Sequence, residues 1–318
     1  MTKENDMMKY YVGVDVGGTS IKMGIVDGSG NIGTRREVPY REMSDDQPVI
    51  RIIINSIRDL ISSSDITMDD IAGIGVSAAG CINSKTGSVA RNGGNIPGWS
   101  YTEVCRELKD EFNVPAALAN DANCAILGEL WIGAAKGYSD VLGVTLGTGV
   151  GGGVITGGKL LEGSRGYAGE IGHFPTHAGG EHCICGLDGC FERYASTSAL
   201  SRKAAEFESS WNNGRALFGA AESGDEDAKR IIDEWIGEIA WGVAGLIHIF
   251  DPQLILIGGG VSAQEKMLIR PLRQHVLSLV MPDYADGLEF KAATLGNDAG
   301  MVGAVYYLLS RENPAPQL

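Results

Sequence analysis

The sequence has a deficit of basic residues. Lys and Arg total 26 against 40 Asp and Glu, so the formal net charge is -14, and no run of Lys or Arg offsets it. A nucleic-acid-binding protein needs a basic face that neutralises phosphates, and anionic lipid repels an acidic surface. We therefore expect neither nucleic acid nor a membrane as a partner.

Segments typical of export or membrane insertion are also lacking. The first nine residues, MTKENDMMK, are charged and contain no apolar core segment of the kind found in signal peptides. No stretch of the chain approaches the ~18 apolar residues of a membrane span. We expect a cytoplasmic protein.

Two common nucleotide-binding motifs are missing. The glycine-rich segment 146–153, LGTGVGGG, is not followed by the Gly-Lys-Ser/Thr of a Walker A loop. A predicted strand follows it, whereas a Rossmann fingerprint would continue into a helix. Any nucleotide must therefore be bound by a different arrangement.

Glycine, by contrast, is abundant. The 46 glycines exceed the usual ~7% and lie at predicted turns beside β-branched runs. Residues 10–27 and 140–158 each predict two strands around a glycine turn. This repeated unit indicates a divergent internal duplication in which each half begins with a hairpin.

The remaining periodicity predicts alternating helices and strands, and therefore an α/β class. We expect two domains, 1–120 and 121–300, with the terminal helix (about 301–318) packing back on the first. The predicted helices are 49–63, 196–208, 225–249 and 299–310, and the predicted strands are 71–79, 116–119 and 254–258, the last running into the glycine turn 258–260.

The first candidate for phosphate binding is the segment Asp15-Val16-Gly17-Gly18-Thr19. Glycines without side chains let backbone N–H groups approach phosphate oxygens closely. Asp15 would help to position Mg²⁺, and the charge of Lys22 would favour an anion. The alternative interpretation is a plain hairpin turn.

Two further glycine segments are candidates for the same ligand. The second hairpin turn has more glycine than a turn requires, which indicates a ligand against the backbone, and two such hairpins facing each other would clamp a polyphosphate. A strand ending in three glycines opens space for adenine or ribose, although a strand-to-helix turn explains it nearly as well. The candidate residues are Gly147, Thr148, Gly149 and Gly151 in the hairpin and Gly258, Gly259 and Gly260 after the strand.

A candidate catalytic base follows the predicted strand 116–119, in Asn120-Asp121-Ala122-Asn123. A carboxylate at a strand end can accept the proton of a hydroxyl as its oxygen attacks a γ-phosphate. A second Asn-Asp-Ala occurs at 297–299, where Asp298 fits a helix N-cap. Asp121 also precedes helical spacing, so the pattern gives it only a small preference.

The cysteines indicate a metal site, because three of the six crowd into eight positions: Cys183, Cys185 and Cys190. With His173 they make the Cys₃His set of a closed, structural zinc site. His177 and His182 are rival ligands on spacing, and buried free thiols are the alternative interpretation. Zinc-site affinity is large, so we expect the 173–190 loop to be disordered without metal.

Polar residues around this loop are candidates for sugar binding. Glu170, His173 and Glu192 combine carboxylates with an imidazole, which hydrogen-bond to hydroxyl groups in fixed directions. A solvated surface is an equally good interpretation of the same residues.

Taken together, these motifs resemble the ROK family of sugar kinases, and the bacterial glucokinases within it. The resemblance extends from Val14 to about Tyr307. The segments that carry it are Asp15–Thr19, Asn120–Asn123, Leu146–Gly153, Glu170–His173 and the cysteine segment from Cys183 to Glu192. It also includes a loop, Asn95-Ile96-Pro97-Gly98-Trp99, that the composition alone does not single out.

The resemblance implies an actin-like, ribonuclease H-type two-domain fold with a cleft that closes on its substrate. It implies that Asp121 is the base, that the glycine turns bind ATP with Mg²⁺, and that the structural zinc orients the sugar site. His173 would bind both zinc and sugar, through different ring nitrogens. The other implied hexose contacts are Asn95, Asn120, Asp121, Glu170 and Glu192.

The implied activity is phosphorylation of glucose to glucose 6-phosphate, a glycolytic reaction, by a homodimer. Phosphorylation of N-acetylmannosamine or another hexose is the alternative, followed by a catalytically silent sugar-sensing regulator. Repressors of the family carry a helix-turn-helix domain before the first glycine motif. Here that motif begins at Asp15, so we expect no such domain.

Overall fold

The computed structural model describes residues 9–39, 47–91, 96 and 98–312. Asn95 and Pro97, in the loop named above, lie outside the described residues. The strands are β1 (Tyr10–Val16), β2 (Ile21–Asp27), β3 (Ile32–Val38), β4 (Ile71–Ala78), β5 (Cys81–Asn83), β6 (Ser88–Arg91), β7 (Ala116–Asn120), β8 (Val141–Leu146), β9 (Val150–Thr156), β10 (Lys159–Leu160), β11 (Leu254–Gly258) and β12 (Glu289–Ala292).

The helices alternate with these strands in both halves of the chain, which confirms the α/β class. Short 3₁₀ turns cover Met68–Asp70, Ile171–His173 and Gly296–Asp298, and a π-helical turn covers Glu265–Ile269. The α-helices are α1 (Val49–Ser62), α2 (Val104–Phe112), α3 (Asp121–Ile132), α4 (Glu192–Ala195), α5 (Thr197–Phe207), α6 (Gly214–Glu222), α7 (Glu226–Phe250), α8 (Arg270–Leu279), α9 (Pro282–Ala285) and α10 (Ala299–Glu312).

The chain divides into two compact units. The first contains the described residues up to Ile132, the segment Glu162–Ala168 and the residues from Asn297 onward. The second contains Gly133–Leu161 and Gly169–Gly296. The first unit thus extends past the expected boundary at 120, because α3 packs against α10 and α10 belongs to the same unit.

Both glycine hairpins predicted from the sequence are present. β1 pairs antiparallel with β2, and β8 pairs antiparallel with β9. The turn of the first is closed by a hydrogen bond from Gly17 N–H to the carbonyl of Ser20 at 3.1 Å. The turn of the second is closed from Gly147 N–H to the carbonyl of Gly149 at 3.0 Å.

The two five-stranded sheets have the same topology, which fits the predicted duplication. Their orders are β3-β2-β1-β4-β7 and β10-β9-β8-β11-β12. In each sheet the first three strands are antiparallel neighbours and the last two run parallel to the third. β4 and β11 are buried apolar runs, as expected for the inner strands of a covered parallel sheet.

Each unit has its own apolar core. In the first, the face of α1 predicted from its periodicity is buried against the sheet, including Ile53 and Ile57. In the second, the long helix α7 supplies much of the core, including Trp235 and Ile239. Within the described ranges, none of the helices is both long enough and apolar enough to cross a membrane.

Glycines allow α10 to lie unusually close to its neighbours in the first unit. A Cβ added to Gly75 of β4 would collide with the backbone carbonyl of Ala304 in α10. A Cβ on Gly303 would collide with the carbonyl of Cys124 in α3. Part of the glycine excess is therefore explained by backbone-to-backbone packing, which a larger residue would prevent.

The segment Glu162–Ala168 belongs to the first unit, although the residues on either side of it belong to the second. A polar cluster holds it to the first unit. The Glu162 carboxylate accepts hydrogen bonds from Ser84 Oγ at 2.8 Å and from the Tyr307 hydroxyl at 2.6 Å. Arg311 lies 3.6 Å from the same carboxylate. Burial and this carboxylate raise the pKa of Tyr307, so the phenol remains a donor.

Candidate functional site

Three candidate site residues, Asp15, Asn120 and Asp121, lie with the neighbouring Ser77 at the carboxyl edge of the first sheet. Strands β1, β4 and β7 are parallel, with Asp15 opposite Ser77 and Ala78 opposite Asn120. Ligands of open α/β sheets bind outside the carboxyl ends of such strands. The parallel topology therefore brings Asp15 to the same edge as the Asn120-Asp121 pair.

Asp15 lies in a partly desolvated position next to other charges. The Ser77 hydroxyl donates a hydrogen bond of 2.7 Å to its Oδ1. Desolvation raises the pKa of Asp15, and the negative charge of Asp121 raises it further, while the Ser77 hydrogen bond and the charge of Lys22 oppose the rise. The Asp121 charge thus adds to the cost of ionising Asp15, an arrangement that favours a cation beside Asp15.

Asp121 is the first residue of α3, and local hydrogen bonds hold it there. The Ala122 N–H donates to Asp121 Oδ1 at 2.9 Å and also to Asn120 Oδ1 at 2.9 Å. The Asn120 amide nitrogen donates to the carbonyl of Gly80 at 3.3 Å. Desolvation raises the pKa of the Asp121 carboxyl, although the side chain keeps contact with solvent. A carboxylate that is accessible and has a raised pKa is suited to proton transfer.

The sequence pattern could not distinguish the two Asn-Asp-Ala segments, but their surroundings in the structure differ. Asp298 ends the 3₁₀ turn before α10, and its carboxylate pairs with the guanidinium of Arg35 at 2.8 Å on the surface. Asp298 is therefore engaged in an exposed ion pair, whereas Asp121 faces the Asp15 charge.

In the second unit, the remaining glycine segments meet at the carboxyl edge of β8 and β11. Gly258 lies opposite Thr145 in the parallel pair, one residue before β8 ends. Gly259 has φ +92, and a Cβ there would collide with the carbonyl of Leu146. Both features require glycine at this position. The parallel register thus places the 147–151 turn beside the 258–260 turn.

The turn after β8 is fixed by the helix that follows α4. Both the backbone N–H and the Oγ1 hydroxyl of Thr197 donate to the carbonyl of Gly147, at 2.9 and 2.7 Å. A Cβ on Gly149 would come within 2.5 Å of Glu192 Oε2. The glycine turn is therefore anchored on one side by Thr197 and bordered on the other by Glu192.

One glycine of this turn region has a packing reason and needs no ligand. A Cβ on Gly152 would collide with the Ile171 side chain and approach the carbonyl of Gly143 at 2.6 Å. Gly152 is therefore explained by packing, and only the other glycines of 147–153 can indicate a ligand against the backbone.

Four side chains of the second unit form a cluster that could hold a metal ion. The candidate ligand atoms of His173, Cys183, Cys185 and Cys190 all lie within 4.8 Å of one another. Cys183 Sγ is 3.7 Å from His173 Nδ1, and Cys185 Sγ is 3.5 Å from Cys190 Sγ. Such separations are those expected between donors around a tetrahedral ion with bonds of about 2.0–2.3 Å. The donor set fits Zn²⁺.

Backbone turns bring these ligands together. The chain reverses at Cys183–Gly186, where Gly186 N–H donates to the carbonyl of Cys183 at 2.9 Å and Gly186 adopts φ +92. An isolated bridge between Pro175 and Cys190 closes the loop against the residues after His173. Burial is the main reason that the pKa values of the Cys183 and Cys190 thiols are raised, a bias that a bound dication would reverse.

The two rival histidines lie elsewhere. His177 stacks on Tyr194 at 3.8 Å between ring centroids, and its Nε2 lies 3.5 Å from a carboxylate oxygen of Glu238. His182 is exposed and hydrogen-bonds to Asp188 at 2.8 Å. Among the three histidines that spacing allowed, the geometry groups only His173 with the cysteines.

The candidate sugar-binding residue Glu192 contacts this cluster. Glu192 Oε1 accepts a hydrogen bond from Cys183 Sγ at 3.0 Å and lies 3.7 Å from His173 Nδ1. Glu170 is exposed and directly precedes the turn Ile171–His173. In the second unit, then, Glu192 lies between the metal cluster and the glycine turn after β8.

Sequence reasoning missed two residues of these sites. Ser77 binds Asp15, and Thr197 fixes the Gly147 carbonyl. A polar residue at the end of the predicted buried strand 71–79 could have indicated Ser77. Thr197 gave no such signal, because only the folded chain brings it to the turn.

Comparison with known proteins places these features in a family. The ROK family profile matches residues 11–311. A glucokinase of Halalkalibacterium halodurans is 36% identical over 320 residues, covering 96% of each chain.

Two solved structures share the fold. The ROK family glucokinase of Streptomyces griseus, solved with glucose and AMPPNP, is 32% identical with a TM-score of 0.76, covering 93% of this chain and 97% of that one. Lmo2764 of Listeria monocytogenes, a putative N-acetylmannosamine kinase, is 31% identical with a TM-score of 0.80, covering 96% and 100%. The architecture is therefore the actin-like fold of ROK sugar kinases, and the chain belongs to the ROK family.

Proposed function

We propose that the protein is an ATP-dependent hexose kinase whose preferred substrate is glucose, which it converts to glucose 6-phosphate. The observation that carries the proposal is the Asp121 carboxylate: it is solvent-accessible, its pKa is raised by desolvation, and it lies at the carboxyl edge of a parallel sheet. The similarity to glucokinases along almost the entire chain supports both the reaction and the sugar.

In this mechanism Asp121 takes the proton from the 6-hydroxyl as the oxygen attacks the γ-phosphate. One oxygen of the carboxylate is held by the Ala122 N–H, which fixes its direction. A raised pKa makes the carboxylate a stronger base than a fully solvated one. Asn120, held by Gly80, would orient the sugar beside it.

The glycine turns would bind ATP. In the first unit these are Gly17, Gly18 and Thr19, and in the second they are the turns after β8 and β11. Backbone N–H groups in such turns bind phosphate oxygens and stabilise the charge that develops on the transferred group. Gly18 and Gly260 have open space where a side chain would project, which leaves room for a ligand against their backbone.

Asp15 is the residue that would hold Mg²⁺. Its carboxylate is a hard oxygen donor whose charge is destabilised by desolvation and by Asp121, so a dication fits this position. Bound there, Mg²⁺ would neutralise charge on the transferred phosphoryl group. Ser77 would keep the Asp15 side chain oriented.

Glu170, His173 and Glu192 would bind the hexose hydroxyls. Zinc held by His173 and the three cysteines would be structural, because four protein ligands close the tetrahedron. It would fix the imidazole and the neighbouring Glu192, and so orient the sugar indirectly. Asn95, an implied sugar contact, lies outside the described residues.

A coupled ADP-release assay with ATP and Mg²⁺ tests the proposal. The sugars compared are glucose, N-acetylmannosamine, N-acetylglucosamine, mannose and fructose. A strong preference for glucose is the expected result. Activity on none of the five would contradict a hexose kinase and favour a sugar-sensing regulator.

A second candidate substrate is N-acetylmannosamine. It is favoured by the similarity to the Listeria protein, a putative N-acetylmannosamine kinase. The same assay separates the two substrates, because a preference for the acetamido sugar would keep the mechanism and change the substrate. We further propose that the enzyme acts in glycolysis in the cytoplasm, as a homodimer.

A further inference from the structure

The glycine turn after β8 contains a peptide group whose two ends have different surroundings. The carbonyl of Gly147 accepts two hydrogen bonds, from the N–H of Thr197 at 2.9 Å and from the Thr197 hydroxyl at 2.7 Å. The N–H of Thr148, at the other end of the same peptide, has no acceptor among the residues that the structure describes. Thr148 is exposed at the apex of the turn, so this donor is left for a ligand.

The geometry of the peptide group links these two ends. The Gly147–Thr148 peptide is trans, and in a trans peptide the carbonyl and the following N–H point in opposite directions. Because Thr197 holds the carbonyl toward α5, the N–H of Thr148 is directed to the opposite side of the turn. Backbone N–H groups presented by such turns bind phosphate oxygens.

Glycine makes this orientation depend on the hydrogen bonds from Thr197. A Cβ on Gly147 would meet no atom within 4 Å, so packing does not fix the peptide plane at this residue. Glycine backbone is also freer to rotate than that of any other residue. A reversed peptide would present the Gly147 carbonyl to the ligand, and its partial negative charge would repel a phosphate. The two hydrogen bonds from Thr197 oppose this reversal.

Thr197 is itself held firmly at the start of α5. The Ser196 hydroxyl caps this helix by accepting a hydrogen bond from the N–H of Ala199 at 3.1 Å. The buried indole of Trp235 donates to the carbonyls of Ala195 and Ser196, at 3.0 and 3.2 Å. A residue fixed by a capped helix and a buried side chain is well suited to position a binding turn.

The short helix α4, which directly precedes Ser196, gives an internal check on this region. It begins at Glu192, whose carboxylate contacts Cys183 and His173 of the metal cluster. If a substitution at Thr197 displaced the whole region, zinc and hexose binding would change as well. These two properties therefore distinguish a local effect on the turn from a general disruption.

We propose that Thr197 is a positioning residue for the nucleotide: its hydroxyl holds the Gly147–Thr148 peptide so that the N–H of Thr148 donates to a phosphate oxygen of ATP. Thr197 acts through the turn and not through contact with the nucleotide. The proposal rests on the proposed function, because it takes the turn after β8 as part of the ATP site.

Steady-state kinetics with ATP and hexose varied separately tests this role. Thr197→Val keeps the branched shape of the side chain and removes the hydroxyl donor. We expect the KM for ATP to rise about tenfold, the order expected for one lost hydrogen bond. The KM for hexose, the hexose affinity measured by calorimetry and the zinc content should remain at their wild-type values. Thr197→Ser retains the hydroxyl, so its KM for ATP should be close to that of the wild type.

Ser201→Ala is the matched control, because it removes a hydroxyl from the same helix. That hydroxyl donates to the carbonyl of Thr197 within α5, at 2.9 Å. We expect this variant to leave both KM values unchanged.

Three results would overturn the positioning role of Thr197 while the kinase proposal stands. They are an unchanged KM for ATP in Thr197→Val, equal losses of ATP and hexose affinity in that variant, and a Thr197→Ser variant that is as impaired as Thr197→Val. A wild type without turnover on any hexose would instead overturn the proposed function, and this proposal with it.

Discussion

At the scale of single residues, Asp121 and Asp298 provide a matched pair. Both occur in Asn-Asp-Ala before a helix, but Asp298 is paired with Arg35 and Asp121 is desolvated near Asp15. We expect Asp121→Asn to lower kcat by ~10² or more while hexose binding and folding are retained. Steady-state kinetics with calorimetric sugar titration measures this.

The control for that substitution is Asp298→Asn, which removes the carboxylate from the other motif. It should leave kcat close to that of the wild type, because its ion pair is exposed and exposed pairs contribute little. Near-wild-type turnover in Asp121→Asn would refute the role of Asp121 as the base.

The raised pKa of Asp121 has a consequence for the pH dependence of activity. A general base works only when deprotonated, so kcat/KM should fall as the pH drops through its pKa. Because desolvation raises this pKa above the ordinary 3.8, the acid limb should have its midpoint above that value. A pH–rate profile with a midpoint at or below 3.8 would be incompatible with the assignment.

At the scale of helices and strands, two glycines with opposite surroundings can be compared. Gly75→Ala places a methyl group against the α10 backbone, and overpacking of this kind typically costs about 1–3 kcal/mol. Chemical denaturation should therefore show a clear decrease in the free energy of unfolding relative to the wild type.

Gly237→Ala is the corresponding change in open space. Gly237 lies inside α7, and a Cβ there meets no other atom within 4 Å. Alanine is the better helix former, so this substitution should raise the free energy of unfolding by about 0.5–1 kcal/mol. A loss of stability at Gly237 as large as at Gly75 would show that close packing on α10 is not the relevant difference.

At the scale of the whole molecule, the proposed zinc site joins a loop to the sugar-binding groups. Cys185 is exposed, so Cys185→Ser disturbs little packing and acts mainly through a bound ion. We expect this variant to lose zinc and hexose binding together, as measured by metal analysis and calorimetry.

Cys105→Ser is the control, since burial raises the pKa of that thiol to about 12 and it lies in the other unit. It should keep both zinc and sugar binding. Full zinc content in Cys185→Ser would rule out this residue as a ligand, and zinc loss with intact hexose binding would separate the metal from the sugar site.

The sequence by itself determined the elements whose signals are local. Both glycine hairpins, the amphipathic face of α1 and the buried strands β4 and β11 follow from periodicities of 2 and 3.6 residues within short windows. Those periodicities reflect which side of an element faces apolar neighbours, and they hold wherever the element lies. The repeated hairpin likewise anticipated two sheets of identical order.

Only the tertiary structure decided the relations between distant segments. It brought His173, the histidine that the resemblance implied and that spacing alone left level with His177 and His182, together with the three cysteines. It also paired Asp298 with Arg35 and placed Glu162–Ala168 in the first unit through Ser84 and Tyr307. Spacing could not decide these, because each depends on how loops close and which side chains then compete for a partner. The glycines give a further example. A glycine in a turn can be predicted from the sequence, but Gly75 and Gly152 are explained only by the atoms that the fold brings against them.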